Sequence, residues 1–273
     1  MSIGIGIGIG KNLRITPSGV IPFSYEPELL TYISGLVTPL SDGQLILLNN
    51  YILALKSGLG ITNLSDEFDC MYITAGETSE SSLRNLVRNA NHATLVNAPS
   101  FVPYQGFKGD AISSYVNTNF NPTAHGSRYS LNSAVHGHYI RNLPTVNHYS
   151  GQYPSRNYLS INSIGSYCYT PVNCAVQDNV PGIGIGMIMG VRRDNANVIT
   201  YYNKNETSNT EASTTIPNNN FFLGARDNNG VADSFGDCEQ SFFFMSSGLA
   251  KVKLDIITDA FEAYMDAHGK GVI

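Results

Sequence analysis

Between residues 95 and 245, short apolar runs alternate with clusters of turn residues, and no helical period interrupts them. Residues 95–122 set the pattern, because Gly109-Asp110 separates two apolar runs and Asn121-Pro122 ends the second. We predict a β-hairpin here, with Gly109 at the positive φ of its turn and Asp110 closing that turn through its side chain. The same pattern predicts further strands at residues 129–131, 135–140, 158–161, 187–191, 198–202, 220–225 and 240–245. Many short strands without intervening helices indicate a β-sandwich.

Composition narrows the possible partners. Only 14% of the 273 residues are charged and the net charge is −5, so there is no basic field to hold nucleic acid. No basic segment followed by an apolar block is present at the start, and no apolar run looks long enough to span a bilayer, so we expect neither a secretory signal nor a membrane. Cys168 and Cys174 could close a small disulfide loop, but free buried thiols explain them equally well.

The first residues form an Ile-Gly repeat. In an extended strand, Ile3, Ile5, Ile7 and Ile9 lie on one face, and the other face is bare backbone. A ribbon of this kind cannot bury itself, and glycine makes it costly to order. It is either a disordered terminus or, as we favour, an arm that adds as a strand to a partner protein, with the four isoleucines as anchors. We assign residues 1–23 to this arm and a linker.

A helical period appears twice. Residues 24–60 predict a helical hairpin, with Pro27 at the first turn of one helix and Ser41 or Asp42 capping the second, which ends at Gly58. Both helices carry more apolar surface than a hairpin can hide, so one face must pack on the sandwich or on a neighbouring subunit. As the residues of a subunit contact we take Leu29, Ile33, Leu48 and Ile52. Residues 61–273 form the sandwich, closed by a helix at residues 249–268.

Four blocks of the sequence carry a family resemblance. They are LILLNNYILALKSGLGITNLSDEFDCMYITAG, LRNLVRNANHATLVNAPSFVPYQGFKGDAISSYVNTNFNP, YSLNSAVHGHYIRN and FFLGARDNNGVADSFGDCEQSFFFMSSGLAKVKLDIITDAFEAYM. In this order they resemble the concanavalin A-like (laminin G-like) lectin/glucanase domain of phage and prophage virion proteins, often labelled tail or head fibre proteins. The resemblance implies a mainly β fold, a two-sheet jelly roll with the last helix packed beside it. It also implies a virion location, capsid or tail proteins as partners, and a homo-oligomer, usually a trimer.

The sequence offers little for catalysis. Glucanases of this fold resemble one another in a Glu-x-Asp-x-x-Glu strand, which this chain lacks, and Asp66, Glu67 and Asp69 have a spacing that does not pair carboxylates on one strand face. No Gly-x-Ser-x-Gly turn favours a serine nucleophile. We therefore expect no enzyme activity and no cofactor.

Two groups of residues could bind metals. His136 and His138 lie on one face of a predicted strand, and His125 or His148 could complete a zinc site. Asp227-Asn228-Asn229-Gly230 with Asp233 could hold calcium. We favour a core strand for the first group and a hairpin turn for the second, and predict no metal.

Three functional hypotheses follow. The first is a phage virion structural protein, docked by its arm and displaying a lectin-like sandwich. The second is an adhesin that binds host surface glycan, and the third, a glycan-cleaving enzyme, is the weakest. For a glycan-binding patch the candidates are Tyr149, Tyr153, Tyr158, Tyr167 and Tyr169.

Overall fold

A computed structural model describes residues 24–153, 155–163, 167–175, 180–182 and 184–273. The predicted anchor residues Ile3, Ile5, Ile7 and Ile9 lie outside the described residues. The anchoring arm therefore stays a prediction.

The described strands, numbered in chain order, form two sheets. Sheet A has the order β13-β12-β11-β6-β17-β4-β3, with β1 also paired to β17. Its strands are β1 (Phe68–Tyr72), β3 (Ser100–Val102), β4 (Gly106–Lys108), β6 (Ala134–Ile140), β11 (Gly186–Arg192), β12 (Asn197–Tyr202), β13 (Asn205–Thr210) and β17 (Glu239–Ser246).

Sheet B has the order β10-β9-β8-β7-β14-β5-β2, and a short hairpin, β15–β16, joins it through a parallel pairing of β15 with β7. Its strands are β2 (Thr94–Val96), β5 (Tyr115–Asn117), β7 (His148–Tyr153), β8 (Asn157–Ile161), β9 (Tyr167–Tyr169), β10 (Val180–Pro181), β14 (Phe222–Leu223), β15 (Arg226–Asn228) and β16 (Val231–Asp233). The prediction of a mainly β sandwich is confirmed at this level, and the jelly-roll connectivity stays a prediction.

The two sheets pack face to face. Tyr72 and Phe243 of sheet A contact a cluster that includes Val116 and Phe221 from the sheet B side, and all four are buried. Phe221 stacks on Phe243 with ring centroids 4.7 Å apart. Each such side chain contributes about 1.5–3 kcal/mol by leaving water, so this shared interior holds the sheets together.

Helices cover the outer face of sheet A. They are α1 (Pro27–Ile33), α2 (Asp42–Leu59) and α5 (Lys251–Ala267); α3 (Ser79–Ser82), α4 (Pro122–His125) and a 3-10 turn (Leu64–Asp66) are short. Alternation along the strands explains the arrangement, because Phe242 and Phe244 point toward the helices while Phe243 points between the sheets. Phe242 stacks on Phe261 of α5 at 4.3 Å.

The predicted helices are present with shifted ends. The Ser41 side chain caps α2 by accepting from the Gln44 N–H at 3.3 Å, and Gly60, at φ 67°, ends it. Gly58, the predicted end, lies inside the helix, where a β-carbon would come within 2.6 Å of Ile256 of α5. Gly58 therefore permits close packing of α2 against α5, and α2 continues past it.

The hairpin packs on the sandwich of its own chain. Leu29, Leu48 and Ile52 are at most 1% exposed in the core between helices and sheet A, and Ile33 packs against that core. The assignment of these residues to a subunit contact is therefore corrected, because they face the interior of the chain. A homo-oligomer stays a prediction, without these side chains as its contacts.

The stretch Asp42–Asp66, which contains α2, is long and apolar enough to cross a membrane by length and composition, contrary to the sequence-based expectation. A core helix meets the same criterion. Here α2 buries Tyr51 and Leu55 against sheet A together with the residues above. The core explains these apolar residues of α2, whereas Ile46 and Leu53 of the same helix are 45% and 43% exposed.

The chain around Gly109-Asp110 does not form the predicted hairpin. β4 before it pairs in sheet A and β5 after it pairs in sheet B, so this segment carries the chain from one sheet to the other. Asp110 accepts from the N–H groups of Ile112, Ser113 and Ser114 at 2.8–2.9 Å, as a closing side chain should. The positive φ belongs to Ala111, at 61°. Gly109 is needed for another reason, since a β-carbon there would lie 2.3 Å from the Gly236 carbonyl oxygen.

All four cysteines, Cys70, Cys168, Cys174 and Cys238, are buried, and none of them forms a disulfide. Burial raises the pKa of the Cys168 and Cys238 thiols. Cys168 and Cys174 are therefore core residues in this fold and not a disulfide.

Candidate binding site

The outer face of sheet B presents tyrosines. Along β7, His148, Ser150 and Gln152 are buried toward sheet A, so Tyr149 and Tyr153 point outward and are partly exposed. On β8, Leu159 and Ile161 pack in the interior, which places Tyr158 outward. We call the five predicted glycan-binding residues the tyrosine face: Tyr149, Tyr153, Tyr158, Tyr167 and Tyr169.

The register brings most of these rings together. Tyr149 pairs with Ser160, and Ser160 pairs with Tyr169, so these three residues form one row across β7, β8 and β9. The Tyr149 and Tyr158 rings lie 5.8 Å apart, and the Tyr167 and Tyr169 rings 5.3 Å apart. Tyr158 is only 2% exposed, and this burial raises its pKa. It therefore supports its neighbours and offers little surface of its own.

Arg226 lies among the rings. β15 pairs with β7 so that Arg226 is beside Gly151, and its guanidinium lies 4.5 Å from the Tyr153 ring centroid and 5.3 Å from that of Tyr149. Asp233 on β16 accepts from both ends of its fork, at 2.8 and 3.1 Å. The charge of Arg226 is thus balanced by Asp233, and the guanidinium group lies over the rings of both Tyr149 and Tyr153.

A groove opens at one end of this face. It has a volume of about 480 Å³, within the range of small-ligand sites. Five segments surround it: the end of β7, residues 155–156 before β8, residues 174–175, residues 214–219 before β14, and the tip of the β15–β16 hairpin. Its lining consists of Gln152, Tyr153, Ser155, Arg156, Cys174, Ala175, Thr214, Thr215, Ile216, Asn218, Asn219 and Asn229.

The groove lining is rich in groups that both donate and accept hydrogen bonds. Thr214, Thr215, Asn218 and Asn229 are exposed. Arg156 is the one charged side chain in the described lining, and its guanidinium lies 5.9 Å from the Tyr153 ring centroid. Tyr153 therefore belongs both to the groove and to the tyrosine face, and makes them one continuous surface.

Buried amides fix the floor of the groove. Ser155 donates its hydroxyl to Gln152 Oε1 at 2.7 Å, and Asn157 Nδ2 donates to the Ser155 carbonyl at 2.9 Å. Tyr129 donates to Asn157 Oδ1, which also accepts from the Asn173 N–H at 2.9 Å. These side chains are each at most 8% exposed, so their polar groups have few other hydrogen-bond partners. This buried network fixes the turn that carries Arg156.

The carboxylates considered for catalysis are used elsewhere. Asp69 is fully buried and accepts from the N–H groups of Ser127 and Tyr129, each at 2.7 Å. Asp66 accepts from the Asn63 N–H at 2.8 Å, and Glu67 pairs with Lys253 of α5. None of the three lines the groove, and each has a structural partner.

The predicted histidine strand is a core strand. His136 Nδ1 lies 3.2 Å from His138 Nε2, and both rings are fully buried between the sheets. Gln240 connects this pair to His148, with 3.4 Å to His138 Nδ1 and 3.0 Å to His148 Nε2. Burial lowers the pKa of His136 and of His148 to about 4. Protein partners thus occupy these ring nitrogens, which favours the structural interpretation.

His125, the other ligand considered, lies apart from this pair. Its Nδ1 accepts from the Asn121 N–H at 3.0 Å. Within the described ranges, no group of three or more His, Cys, Asp or Glu side chains is placed to hold a metal.

The Asp227–Asp233 region is a hairpin, as favoured. Asn229 and Gly230 have φ of 54° and 87°, which the two central positions of a type I′ turn require. The Gly230 N–H donates to Asp227 Oδ1 at 2.6 Å. Burial raises the pKa of Asp227. The carboxylate closes the turn instead of facing solvent.

The sequence pattern predicts the tyrosines of this surface but not most residues of the groove. Arg156, Thr214, Thr215, Asn218 and Asn229 come from loops that are far apart in the chain. One signal was available, because Thr214-Thr215-Ile216-Pro217-Asn218-Asn219-Asn220 is dense in hydroxyls and amides between two predicted strands.

The sequence matches no protein-family model and no curated protein. Among solved structures, Trypanosoma rangeli sialidase is similar with a TM-score of 0.47 and 12% identity over 85% of this chain and 40% of the other. The receptor binding domain of botulinum neurotoxin C/D mosaic serotype gives a TM-score of 0.49 and 10% identity over 72% of this chain and 52% of the other. The chain spans about half, or less, of these structures.

Proposed function

We propose that this chain is a bacteriophage virion structural protein whose β-sandwich binds carbohydrate through the groove and the tyrosine face. One observation carries the binding role: Tyr153 belongs both to the groove and to the tyrosine face. The partly exposed Tyr153 ring lines a groove rich in hydroxyls and amides, and the Arg226 guanidinium lies over both this ring and the Tyr149 ring. A host surface glycan is the partner that this combination suits.

The chemistry of a sugar matches this surface. One face of a pyranose ring carries C–H groups that pack on an aromatic ring, and its edge carries hydroxyls that both donate and accept. Tyrosine offers a flat apolar body with a polar tip, and Asn offers two donors and one acceptor oxygen. Tyr153 would stack on the sugar, while Thr214, Asn218 and Asn229 would bind its hydroxyls.

Binding without cleavage fits the groove better than hydrolysis. A glycosidase of the usual kind needs two carboxyl groups about 5–9.5 Å apart across the scissile bond. The described lining of the groove contains no Asp or Glu. We therefore propose a binding protein and not a glycan-cleaving enzyme.

A glycan array probed with the full chain tests the binding role. We expect a defined set of glycans to be retained, and we expect Tyr153→Ala to lose at least tenfold in affinity for them. The matched control is Tyr104→Ala, in the turn between β3 and β4, where the ring stacks on His268 beside α5. An array with no bound glycan, or equal loss in both variants, would contradict the proposal.

The virion role is proposed on other grounds. Four ordered sequence blocks resemble phage virion proteins, and the Ile-Gly repeat of residues 3–9 suits addition to a sheet edge of a capsid or tail protein. Deleting residues 1–12 is expected to abolish incorporation into particles while the sandwich still folds. Full incorporation of the shortened chain would refute the anchoring arm.

A further inference from the structure

The charge of the groove is unusual for this chain. The protein carries a net charge of −5, yet the only charged side chain in the described lining of the groove is Arg156. A concave set of side chains such as the described lining, with one cation and no carboxylate among them, attracts a negative charge.

Arg156, like Arg84, is a part-exposed arginine without a carboxylate partner among the described residues, whereas three others are paired. Arg141, Arg193 and Arg226 each pair with a carboxylate, Glu239, Glu206 and Asp233 respectively, at 2.5–2.8 Å. Among the described residues, no carboxylate lies within ion-pair distance of the Arg156 guanidinium, and its contact is the Tyr153 ring at 5.9 Å.

The turn that carries Arg156 has a fixed backbone. Arg156 has φ of 45°, in the left-handed region that a non-glycine residue adopts at a cost of about 1 kcal/mol or more. The buried partners of Ser155 and Asn157 fix the turn on either side. The turn thus places at the wall of the groove an arginine that has no acidic partner in the part of the chain that the structure describes.

We propose that the groove takes a saccharide that carries a carboxylate, with Arg156 binding that group and Tyr153 stacking on the sugar ring. This inference rests on the proposed carbohydrate-binding function and names its ligand class. The guanidinium fork matches a carboxylate with two parallel N–H···O bonds, which a neutral hydroxyl cannot accept equally well. Asn218, Asn229 and Thr214 then bind the hydroxyls of the same sugar.

Two matched pairs of probes test the proposal with the full chain. One pair is an oligogalacturonide and its methyl ester, and the other is 3′-sialyllactose and its methyl ester. Within each pair the neutral compound lacks the free carboxylate, so the difference in affinity isolates it. Dextran sulfate against dextran separates a carboxylate site from a general anion site. We expect the acidic member of at least one carboxylate pair to bind at least tenfold more tightly.

Variants assign the effect to one residue. Arg156→Gln should abolish the preference for the acidic member, and Arg156→Lys should retain part of it because the charge remains without the fork. Lys204→Gln, which removes the same charge from the β12–β13 turn of sheet A, should leave the preference intact.

The outcomes separate this proposal from the previous one. Equal binding of acidic and neutral members, with loss in Tyr153→Ala, would overturn the acidic ligand and leave carbohydrate binding standing. A preference that survives in Arg156→Gln, or dextran sulfate binding more tightly than both carboxylate probes, would also overturn it. Failure of every saccharide would refute the proposed function itself.

Discussion

The two outer faces of the sandwich use aromatic residues in opposite ways. On sheet A, Tyr139 and Phe242 are fully buried under α2 and α5, and Tyr201 donates its hydroxyl to Asp255 of α5 at 3.0 Å. On sheet B, Tyr149 and Tyr153 remain partly exposed, and none of the described helices covers them. Covered rings stabilise the fold by leaving water, whereas Tyr149 and Tyr153, each contacted by the Arg226 guanidinium, keep the rest of their exposed surface available for a ligand.

We expect the largest effect on the free energy of unfolding from the histidines buried between the two sheets. His136 and His148 bind protons near pH 6.5 when unfolded and near pH 4 when folded, since burial lowers their pKa. Between these values the unfolded chain binds more protons, so stability falls as pH falls through this window. We expect a loss on the order of 3 kcal/mol per histidine at pH 4 relative to pH 7.

Urea unfolding followed by circular dichroism across pH 7 to 4 measures this loss. The variant His136→Gln cannot titrate at that position and should show a shallower pH dependence. If the free energy of unfolding stayed constant down to pH 4, the histidines would not be buried and neutral as described.

The covered face gives the next largest effect. Phe242→Ala removes a ring that stacks on Phe261 at 4.3 Å and leaves a cavity under α5. We expect the free energy of unfolding to fall by about 3–5 kcal/mol, measured by urea denaturation. Tyr149→Ala on the other face should cost less than about 1 kcal/mol. Similar costs for the two variants would remove the contrast between the faces.

We expect residues of the uncovered face to affect glycan binding more than they affect the free energy of unfolding. Tyr149→Ala is expected to weaken glycan binding about three- to tenfold, because one of two partly exposed rings is lost. Calorimetric titration with a glycan retained on the array measures it. Tyr139→Phe, on the covered face, serves as the control and should bind unchanged.

The smallest expected effect concerns the balance of charge on the tyrosine face. Asp233→Asn removes the carboxylate that holds Arg226 at 2.8 Å and should change stability by less than about 1 kcal/mol. It also unmasks a second cation near Tyr153, so an acidic saccharide should bind two- to threefold more tightly at low salt, with the gain lost at high salt. Weaker binding of acidic probes would mean that Asp233 itself contacts the ligand.

How far the sequence predicts this fold depends on how apolar each strand is. The strands β6, β11, β12 and β17 lie within about one residue of their predicted positions, because they are apolar runs between turns. β13, with the sequence NETSNT, is an exposed edge strand that carries no apolar pattern and was missed. Residues 129–131 make only an isolated bridge at Ser130.

Pairing between strands was harder to predict than their positions. A turn sequence such as Gly109-Asp110 looks the same whether the chain reverses within a sheet or crosses to the opposite one. In the crossing observed here, Gly109 packs against Gly236, a contact between residues far apart in the chain that a local turn pattern does not predict. The tyrosine face was predictable because alternation places every second residue of β7 on one side, whereas the groove depends on how distant loops meet.

The exposed residues of the groove contribute little to the core, although Cys174 and Ile216 of the same lining pack on it. Thr214, Thr215, Asn218 and Asn229 are exposed, and the interior packs without them. Natural variants can therefore exchange these residues at small cost to folding, since surface substitutions usually change stability by about 0.5 kcal/mol or less. Under the proposed function, a lineage carrying this sandwich can evolve new ligand preferences through a few codons while the scaffold is inherited unchanged.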